Sequence, residues 1–233
     1  RNGIFPMTPA GHRLRTVMER DYDKTALLTT IDLVDSVWAV KRSGRKDWWR
    51  PFCAMGNVWY RAEYRPFDAE KKRVHGRLKT SQPIQFTPTE HYPRYYFADE
   101  VVQIADRHQF ADELSGATHG DRAAFIYGHG FKPAQGVVRG YRETANTAQI
   151  EVDATGDAFL VMSVTPHKYW RVTIDGKRVT PVVANLAYQG VRVPAGRHRV
   201  AMRYVNDLVR IGGTISVAAI AILLAVVILA RRR

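Results

Sequence analysis

An uncharged apolar stretch near the C-terminus constrains this chain more than any other feature. Residues 211–230 carry no charge, and only Gly212, Gly213, Thr214 and Ser216 among them are not plainly apolar. A helix of that length extends about 30 Å, which matches the hydrocarbon core of a bilayer. A core helix of a soluble protein is the alternative, but such helices are seldom apolar on every face over about five turns. The stretch therefore predicts a transmembrane helix.

Charges at the two ends of the stretch indicate its orientation. Three arginines, residues 231–233, follow it directly, and the positive-inside tendency places them in the cytoplasm. The domain before the span is then expected to be extracytoplasmic, and residues 231–233 a cytoplasmic tail. Arg203 and Arg210 flank the other end, so the opposite orientation stays open.

Length and charge bound what the preceding residues can be. The chain has 233 residues, of which 45% are hydrophobic, enough for one large or two small folded domains. Its net charge of +13, or +10 without residues 231–233, favours anionic neighbours such as lipid headgroups, phosphate-rich polymers or nucleic acid. The first 15 residues lack the apolar segment of a secretory signal. Because the chain begins at Arg1 rather than Met, we expect a removed start or the tail of something longer.

Turn signals and alternation predict a β-sandwich over residues 136–206. Asp175-Gly176 supplies the positive φ angles of a two-residue hairpin, with residues 177–183 expected as its return strand. The sequence Pro194-Ala195-Gly196 has the composition of a further turn. Residues 158–164 are apolar on both faces, as in a central strand.

The residues upstream predict a mixture of helices and strands. Residues 106–117 have a helical pattern, with Asp106 as the N-cap, between two strand-like segments. Residues 29–40 are expected to form a short helix that runs into a strand. The predicted fold is thus mainly β with a small α+β part: an antiparallel β-sandwich followed by one C-terminal transmembrane helix. Its expected units are a poorly defined α+β segment at 1–91, an α+β unit at 92–135, the sandwich at 136–206, the span at 211–230 and the tail at 231–233.

The chain carries no recognisable catalytic signature. None of the eight histidines forms an H-x-x-x-H or H-E-x-x-H pair, and Cys53 is the single cysteine, which excludes an intrachain disulfide and a multi-cysteine metal site. Residues 127–133 contain glycines and a lysine but lack the spacing of a phosphate loop, and no G-x-S-x-G elbow is present. We therefore predict no catalytic residue, no metal and no cofactor.

Two adjacent tryptophans, Trp48 and Trp49, lie among basic residues in the sequence RKDWWRPF. On a strand, adjacent side chains point to opposite faces, so one of the two is expected to be exposed. Aromatic and basic residues together suit a membrane–water interface or a sugar-stacking surface, and packing into two small cores is the alternative. Nucleic-acid binding is a third interpretation, against which an extracytoplasmic location argues.

Three motifs within residues 165–207 point to a known family. They are a Trp-x-x-x-x-Asp-Gly-Lys hairpin at 170–177, an Ala-Asn-x-x-aromatic-x-Gly segment at 184–190, and a Val-Pro-Ala-Gly-x-His turn at 193–198. In these motifs the chain resembles the C-terminal region of YfhO-like bacterial membrane proteins, which are multipass proteins of the GT-C glycosyltransferase type. The likeness runs more weakly back to about residue 92 and covers the closing helix. Lys168-Tyr169 replaces a frequent Pro-Gly, and Asn206 replaces a frequent proline.

The resemblance implies a bacterial cell-membrane protein that helps to move a sugar from a polyprenyl-phosphate carrier to a cell-envelope acceptor. The family's acidic catalytic residue is expected in an early extracytoplasmic loop, among helices that precede this region, so no catalytic residue is carried over. The implied partners are the lipid bilayer, a missing N-terminal transmembrane portion, a polyprenyl-phosphate sugar and an envelope glycopolymer. No nucleic acid is expected.

Two hypotheses follow for function. In the first, the chain is the extracytoplasmic C-terminal domain and last helix of such a glycosyltransferase-like protein. In the second, it is a non-enzymatic, single-span envelope protein whose sandwich binds carbohydrate or another protein. The candidates for carbohydrate contact are Tyr169, Asn185 and Tyr188, together with Trp48 and Trp49, because aromatic faces and amides suit sugars. The alternative is that Tyr188 packs inward and Asn185 caps a turn.

Overall fold

The computed structural model describes residues 28–64, 73–74, 77–78, 84–116 and 122–231. The helices in these ranges are α1 (Leu28–Arg42), α2 (Arg50–Met55), α3 (Arg107–Gly116) and α4 (Asp207–Arg231). The strands are β1 (Tyr60–Tyr64), β2 (Arg73–Val74), β3 (Arg77–Leu78), β4 (Ile84–Pro88), β5 (Tyr95–Phe97), β6 (Glu100–Gln103), β7 (Ala123–Ile126), β8 (Gly136–Glu143), β9 (Thr147–Ala154), β10 (Ala158–Met162), β11 (Trp170–Ile174), β12 (Lys177–Val179), β13 (Val182–Ala184), β14 (Tyr188–Val193) and β15 (Gly196–Tyr204). The predicted mainly β fold with one closing helix is confirmed.

Two large sheets form the body of the protein. A six-stranded sheet has the order β5-β10-β14-β13-β7-β6, and a five-stranded sheet has the order β12-β11-β15-β9-β8. Neighbours pair antiparallel except β6 and β7, which run parallel around the helix α3, as a β-α-β crossover requires. Strands from both sides of residue 135 share the six-stranded sheet, and the predicted division into units at 92–135 and 136–206 stays a prediction.

The core between the two sheets is built by alternation along their strands. On β9 the residues Ala148, Ile150, Val152 and Ala154 are buried, whereas the residues between them are more exposed. They pack in one cluster with Leu160 of β10 and with side chains of β11, β14 and β15. All five residues of β10 are buried, which confirms the central strand expected from its sequence.

Some short turns join neighbouring strands of one sheet, and others carry the chain from one sheet to the other. Asp175 and Gly176 have φ angles of +50° and +80°, and Ile174 pairs with Lys177, so the predicted hairpin is confirmed. The single return strand is wrong, because the chain leaves the five-stranded sheet after Val179 and enters the other sheet at β13. Pro181 lies between the two strands and lacks the N–H that a continuous ladder needs. The turn at 194–196 likewise carries the chain from one sheet to the other.

The helices α1, α2 and α3 pack against the six-stranded sheet through a second cluster. Residues 29–40 are helical throughout, so the predicted passage into a strand is wrong. Leu33, Val37 and Val40 are buried at helical spacing, and this packing outweighs the β preference of valine. Asp106 caps α3 as predicted, since its Oδ1 accepts the N–H groups of His108 at 2.8 Å and Gln109 at 2.9 Å.

The closing helix α4 is the one helix among the described residues that is long and apolar enough to cross a membrane. Its 25 residues extend about 37 Å. Every side chain described on it is exposed, so the fold itself provides no apolar cover. Thr214 and Ser216 donate their hydroxyls to the carbonyls of Arg210 and Gly212, which keeps these polar groups satisfied within the helix.

Candidate functional site

A groove of about 260 Å³ opens at the end of the sandwich from which α4 starts. One side is the turn 144–147 between β8 and β9. This turn is tied to the end of β15, because the Tyr204 N–H donates to the Asn146 carbonyl at 2.8 Å. The helix α4 begins three residues later, at Asp207, so the groove lies at the membrane-proximal end of the sheets. Side chains that line it include Arg94, Tyr95, Glu143, Thr144, Thr147 and Trp170.

An ion pair forms the polar side of the groove. Arg94 Nε donates to Glu143 Oε2 at 2.8 Å, and the Tyr95 hydroxyl donates to the same oxygen at 2.8 Å. Both charged side chains are only 21% exposed, so the pair is partly shielded from solvent. Burial, and then the hydrogen bond to Glu143, raises the pKa of Tyr95 to about 12, so the phenol is neutral at physiological pH.

An aromatic cluster continues the groove toward the helix. Trp170 is half-buried and meets the Tyr204 ring edge-on at 5.3 Å between centroids. His167 lies 4.7 Å from the Tyr169 ring and 5.5 Å from the Tyr204 ring. The carbonyl of Tyr169 accepts the Val205 N–H at 2.8 Å, which fixes the cluster to the residues that precede α4. Aromatic side chains beside polar groups are typical of sites that hold a small polar ligand.

The sequence-derived candidates divide between surface and interior. Tyr169 is half-buried beside the groove, with Lys168 Nζ 5.3 Å from its ring centroid. Asn185 is fully buried: its side-chain oxygen accepts the Phe125 N–H at 2.9 Å, and its amide donates to the Tyr96 hydroxyl at 3.1 Å. Tyr188 is 6% exposed. The inward packing of Tyr188 agrees with its alternative interpretation, whereas the Asn185 side chain bonds β7 and β5 instead of capping its own turn.

The tryptophan pair does not lie on a strand, so the alternation that predicted one exposed tryptophan does not apply. Trp48 and Trp49 occupy the turn before α2, and both are half-buried. Trp48 packs against the cluster that holds the helices. The Arg61 guanidinium lies over the Trp49 ring at 4.1 Å, a cation–π distance. Their assignment as carbohydrate-binding residues stays a prediction.

The described residues contain no acidic, histidine or cysteine group of three or more that could hold a metal ion. Cys53 is buried, and burial raises the pKa of its thiol although nearby Arg61 lowers it. A thiol of this kind is a poor nucleophile, because the reactive form is the thiolate. Glu143 accepts hydrogen bonds from Arg94 and Tyr95 through the same oxygen.

Sequence reasoning missed Arg94, Glu143 and the turn at 144–147. Arg94 and Glu143 lie 49 residues apart, and no motif joins them. From the sequence, Trp170 was predicted only to lie on a strand and to belong to a family motif. Its position beside Tyr169 at a strand end was the one local signal that pointed toward this groove.

The fold and the groove define a β-sandwich protein with one apolar helix of membrane-spanning length at its base. Residues 132–216 match the family of bacterial membrane protein YfhO. The matched region covers a little over a third of the chain, and it confirms the resemblance drawn from the motifs at 170–177, 184–190 and 193–198. Neither a search of curated proteins nor a search of solved structures finds a match. Membrane localisation follows from the family match and the apolar helix together.

Proposed function

We propose that the β domain lies on the extracytoplasmic side of a bacterial cell membrane and supports sugar transfer from a polyprenyl-phosphate carrier to a cell-envelope acceptor. The observation that carries this proposal is the continuity of the family match, which begins before β8 and continues into α4 as far as residue 216. The match thus takes in strands β8 to β15 together with the first turns of the apolar helix. The domain is accordingly held at the surface where a lipid-linked sugar would be found.

The groove gives this domain a place for a saccharide. It lies at the membrane-proximal end, and its walls combine Trp170 with the hydrogen-bonding groups of Arg94, Glu143 and Thr144. Stacking on an aromatic face and hydrogen bonds to charged side chains are the two interactions that a polyhydroxylated ring offers. An envelope glycopolymer at this position would present its end to the membrane surface.

The proposed role is to hold the acceptor, not to catalyse the transfer. A GT-C type site needs a cavity shared by several helices, in which an acidic residue activates the acceptor beside the carrier phosphate. The helix α4 is the one candidate span among the described residues. A cavity of that kind therefore needs helices beyond α4.

The test is sugar transfer in liposomes with radiolabelled polyprenyl-phosphate sugars and envelope acceptors. We expect no turnover from these 233 residues alone. The same assay is run with the product of the gene's entire open reading frame, as wild type and as Trp170→Ala. In that protein the substitution is expected to raise the KM for the acceptor about tenfold and to leave kcat within about twofold, the pattern of lost binding. Turnover by the 233 residues alone would refute the supporting role.

A second candidate function is a non-enzymatic envelope protein that binds carbohydrate. The groove favours this candidate too, because all the residues that line it belong to the β domain, and saccharide binding there needs no further transmembrane helices. Saccharide binding by the 233 residues, weakened by Trp170→Ala, combined with no transfer activity by the entire gene product would favour it over the first.

The extracytoplasmic orientation has its own test. Cys53 is the single cysteine of these 233 residues and is buried, so Cys53→Ala, with any cysteine elsewhere in the gene product also replaced, gives a background free of thiols. Lys177→Cys then adds a thiol at the exposed hairpin of β11 and β12. Labelling of intact cells by a membrane-impermeant maleimide supports the orientation, and labelling only after cell lysis opposes it. Ser216→Cys, within the apolar helix, is the control that should resist the reagent in both conditions.

A further inference from the structure

A second cleft, on the outer face of the five-stranded sheet, borders the first turn of α4. Its volume is about 320 Å³. Three arginines reach it from three elements: Arg171 from β11, Arg203 from β15 and Arg210 from α4. The floor is formed by small or apolar residues of the same strands, including Ala201 and Thr173. The cleft is distinct from the groove at Trp170, which opens on the core side of the sheet.

Strand register explains why two of these arginines meet. Arg171 and Arg203 are directly opposite each other in the antiparallel pair of β11 and β15. Their neighbours Val172 and Met202 are buried in the core, so both arginines point to the outer face. Like charges directly opposite on one face of a sheet oppose its stability. An anion bound between them would remove that repulsion.

The charges in the cleft are only partly compensated. Asp207 contacts two of the arginines, with 2.6 Å to Arg171 Nη2 and 3.8 Å to Arg210 Nη1. No ion pair joins Arg203 to any other residue within the described ranges. Three guanidinium groups and one carboxylate leave two positive charges on the cleft. Asp207 also limits where an anion can lie, since a phosphate is repelled by the carboxylate and is best placed toward Arg203.

The position of the cleft identifies the source of the anion. Arg210 is the last charged residue before the uncharged run that starts at Ile211. Four residues of helix rise about 6 Å, so Asp207 and Arg210 lie at the level where a bilayer changes from hydrocarbon to headgroups. Trp170 and Tyr204 lie at the same end of the sheets, as aromatic residues do at membrane interfaces. Lipid phosphates occupy this level.

We propose that Arg171, Arg203 and Arg210 form a binding site for the phosphate of an anionic lipid headgroup. Guanidinium groups donate paired N–H groups to phosphate oxygens, a geometry that lysine does not offer. The site would hold the β domain at a fixed height and tilt on the leaflet from which α4 starts. It does not depend on sugar transfer, so its test is separate from that of the proposed function.

The experiment measures the Kd of a short-chain phosphatidylglycerol for the full chain in neutral detergent micelles by titration calorimetry. The cleft variant is Arg171→Gln/Arg203→Gln. The control variant, Arg197→Gln/Arg199→Gln, removes the same charge from the same face of β15, farther from α4. We expect the cleft variant to raise the Kd at least tenfold and the control variant to raise it less than threefold.

Two further arms complete the test. Phosphatidylcholine and inorganic phosphate are titrated into the wild type, and both are expected to bind at least tenfold more weakly than phosphatidylglycerol. Arg203→Lys keeps the charge and is expected to raise the Kd about threefold. If the double substitution unfolds the protein, the result for Arg203→Lys decides the test. Equal weakening in the cleft and control variants would overturn the proposal. So would unchanged affinity in Arg203→Lys and the cleft variant, or inorganic phosphate binding as tightly as the lipid.

Discussion

Replacement of Asn185 by alanine is expected to destabilise the β domain severely. The side chain is fully buried and joins two strands of the six-stranded sheet. It accepts the N–H of Phe125 on β7 at 2.9 Å and donates to the Tyr96 hydroxyl on β5 at 3.1 Å. The residue also has a φ of +51°, which asparagine adopts more readily than alanine.

The expected cost can be assembled from these contacts. Removing one partner of a buried hydrogen bond costs about 1–3 kcal/mol, and Asn185 makes two such bonds. Alanine in the left-handed region adds about 1–2 kcal/mol. Because such contributions overlap, we expect a loss of roughly 3–6 kcal/mol from the free energy of unfolding. Total stabilities are about 5–15 kcal/mol, so the variant is expected to be at or near the limit of folding.

The adjacent candidate Tyr188 provides a control with the opposite sign. Its hydroxyl is buried and has no hydrogen-bond partner among the described residues, and it lies against Gly56. Tyr188→Phe removes that hydroxyl and keeps the ring, so we expect an unchanged stability or a gain of about 1 kcal/mol. If either side chain instead served on the surface as a glycan contact, neither change would alter stability much.

Denaturant unfolding of the full chain in neutral detergent, followed by tryptophan fluorescence, measures both variants. A much lower unfolding midpoint is expected for Asn185→Ala and an equal or higher one for Tyr188→Phe. A loss of less than about 1 kcal/mol in Asn185→Ala would refute the buried role of the amide. A loss in Tyr188→Phe as large as that in Asn185→Ala would show that the hydroxyl has a partner.

Three further predictions concern turns, packing and pH. Gly176→Val should lower the free energy of unfolding by about 1–3 kcal/mol because of the φ of +80° alone, since no atom lies within 4 Å of an added Cβ. Gly176→Asn should lose much less, because asparagine tolerates a positive φ. Equal melting temperatures for wild type and Gly176→Val would contradict this prediction. Gly190→Ala should cost about 1–3 kcal/mol in the same unfolding assay, because its Cβ would lie 2.3 Å from Phe159 Cζ, and an unchanged midpoint would show that this ring can shift. The hydrogen bond that His198 Nδ1 donates to Asp175 raises the pKa of His198. The stability that His198 contributes is therefore complete below about pH 6.5 and is lost as pH rises through its raised pKa. The difference in unfolding midpoint between wild type and His198→Gln should therefore shrink from pH 6 to pH 9, and a difference that grows with pH would contradict the ion pair.

The features that the sequence predicted correctly are local ones. The hairpin at Asp175-Gly176 needs two positive φ angles in succession, and few residue pairs supply them. The cap at Asp106 and the buried strand β10 are likewise decided within a few neighbours. Asn206 illustrates a departure with a local explanation: it stands where the family often has proline, and its side chain accepts the Leu208 N–H at 3.1 Å at the start of α4.

Most residues of the candidate site could not be predicted from local sequence patterns. Tyr169 is half-buried beside Trp170, and its carbohydrate contact stays a prediction. Asn185 and Tyr188 are inside, because the six-stranded sheet is covered on that side by α1, α2 and α3. Alternation along a strand tells which residues share a face, and it does not tell whether helices cover that face. Arg94 and Glu143 meet through the packing of β5 against β8, which no short spacing encodes.

The sequence by itself determined the apolar span, the hairpin and the mainly β character, because an uncharged run of 20 residues and the φ angles of a turn depend on the residues themselves. Only the tertiary structure decided which sheet each strand joins. The chain changes sheets after β7, β9, β10, β12 and β14, and the junctions after β9, β12 and β14 are as short as a hairpin. A turn fixes the local direction of the chain, whereas the partner of a strand depends on which distant edge buries its apolar face. That long-range choice places Arg171 beside Arg203 and Trp170 beside Glu143, and so creates both clefts at the base of the sandwich.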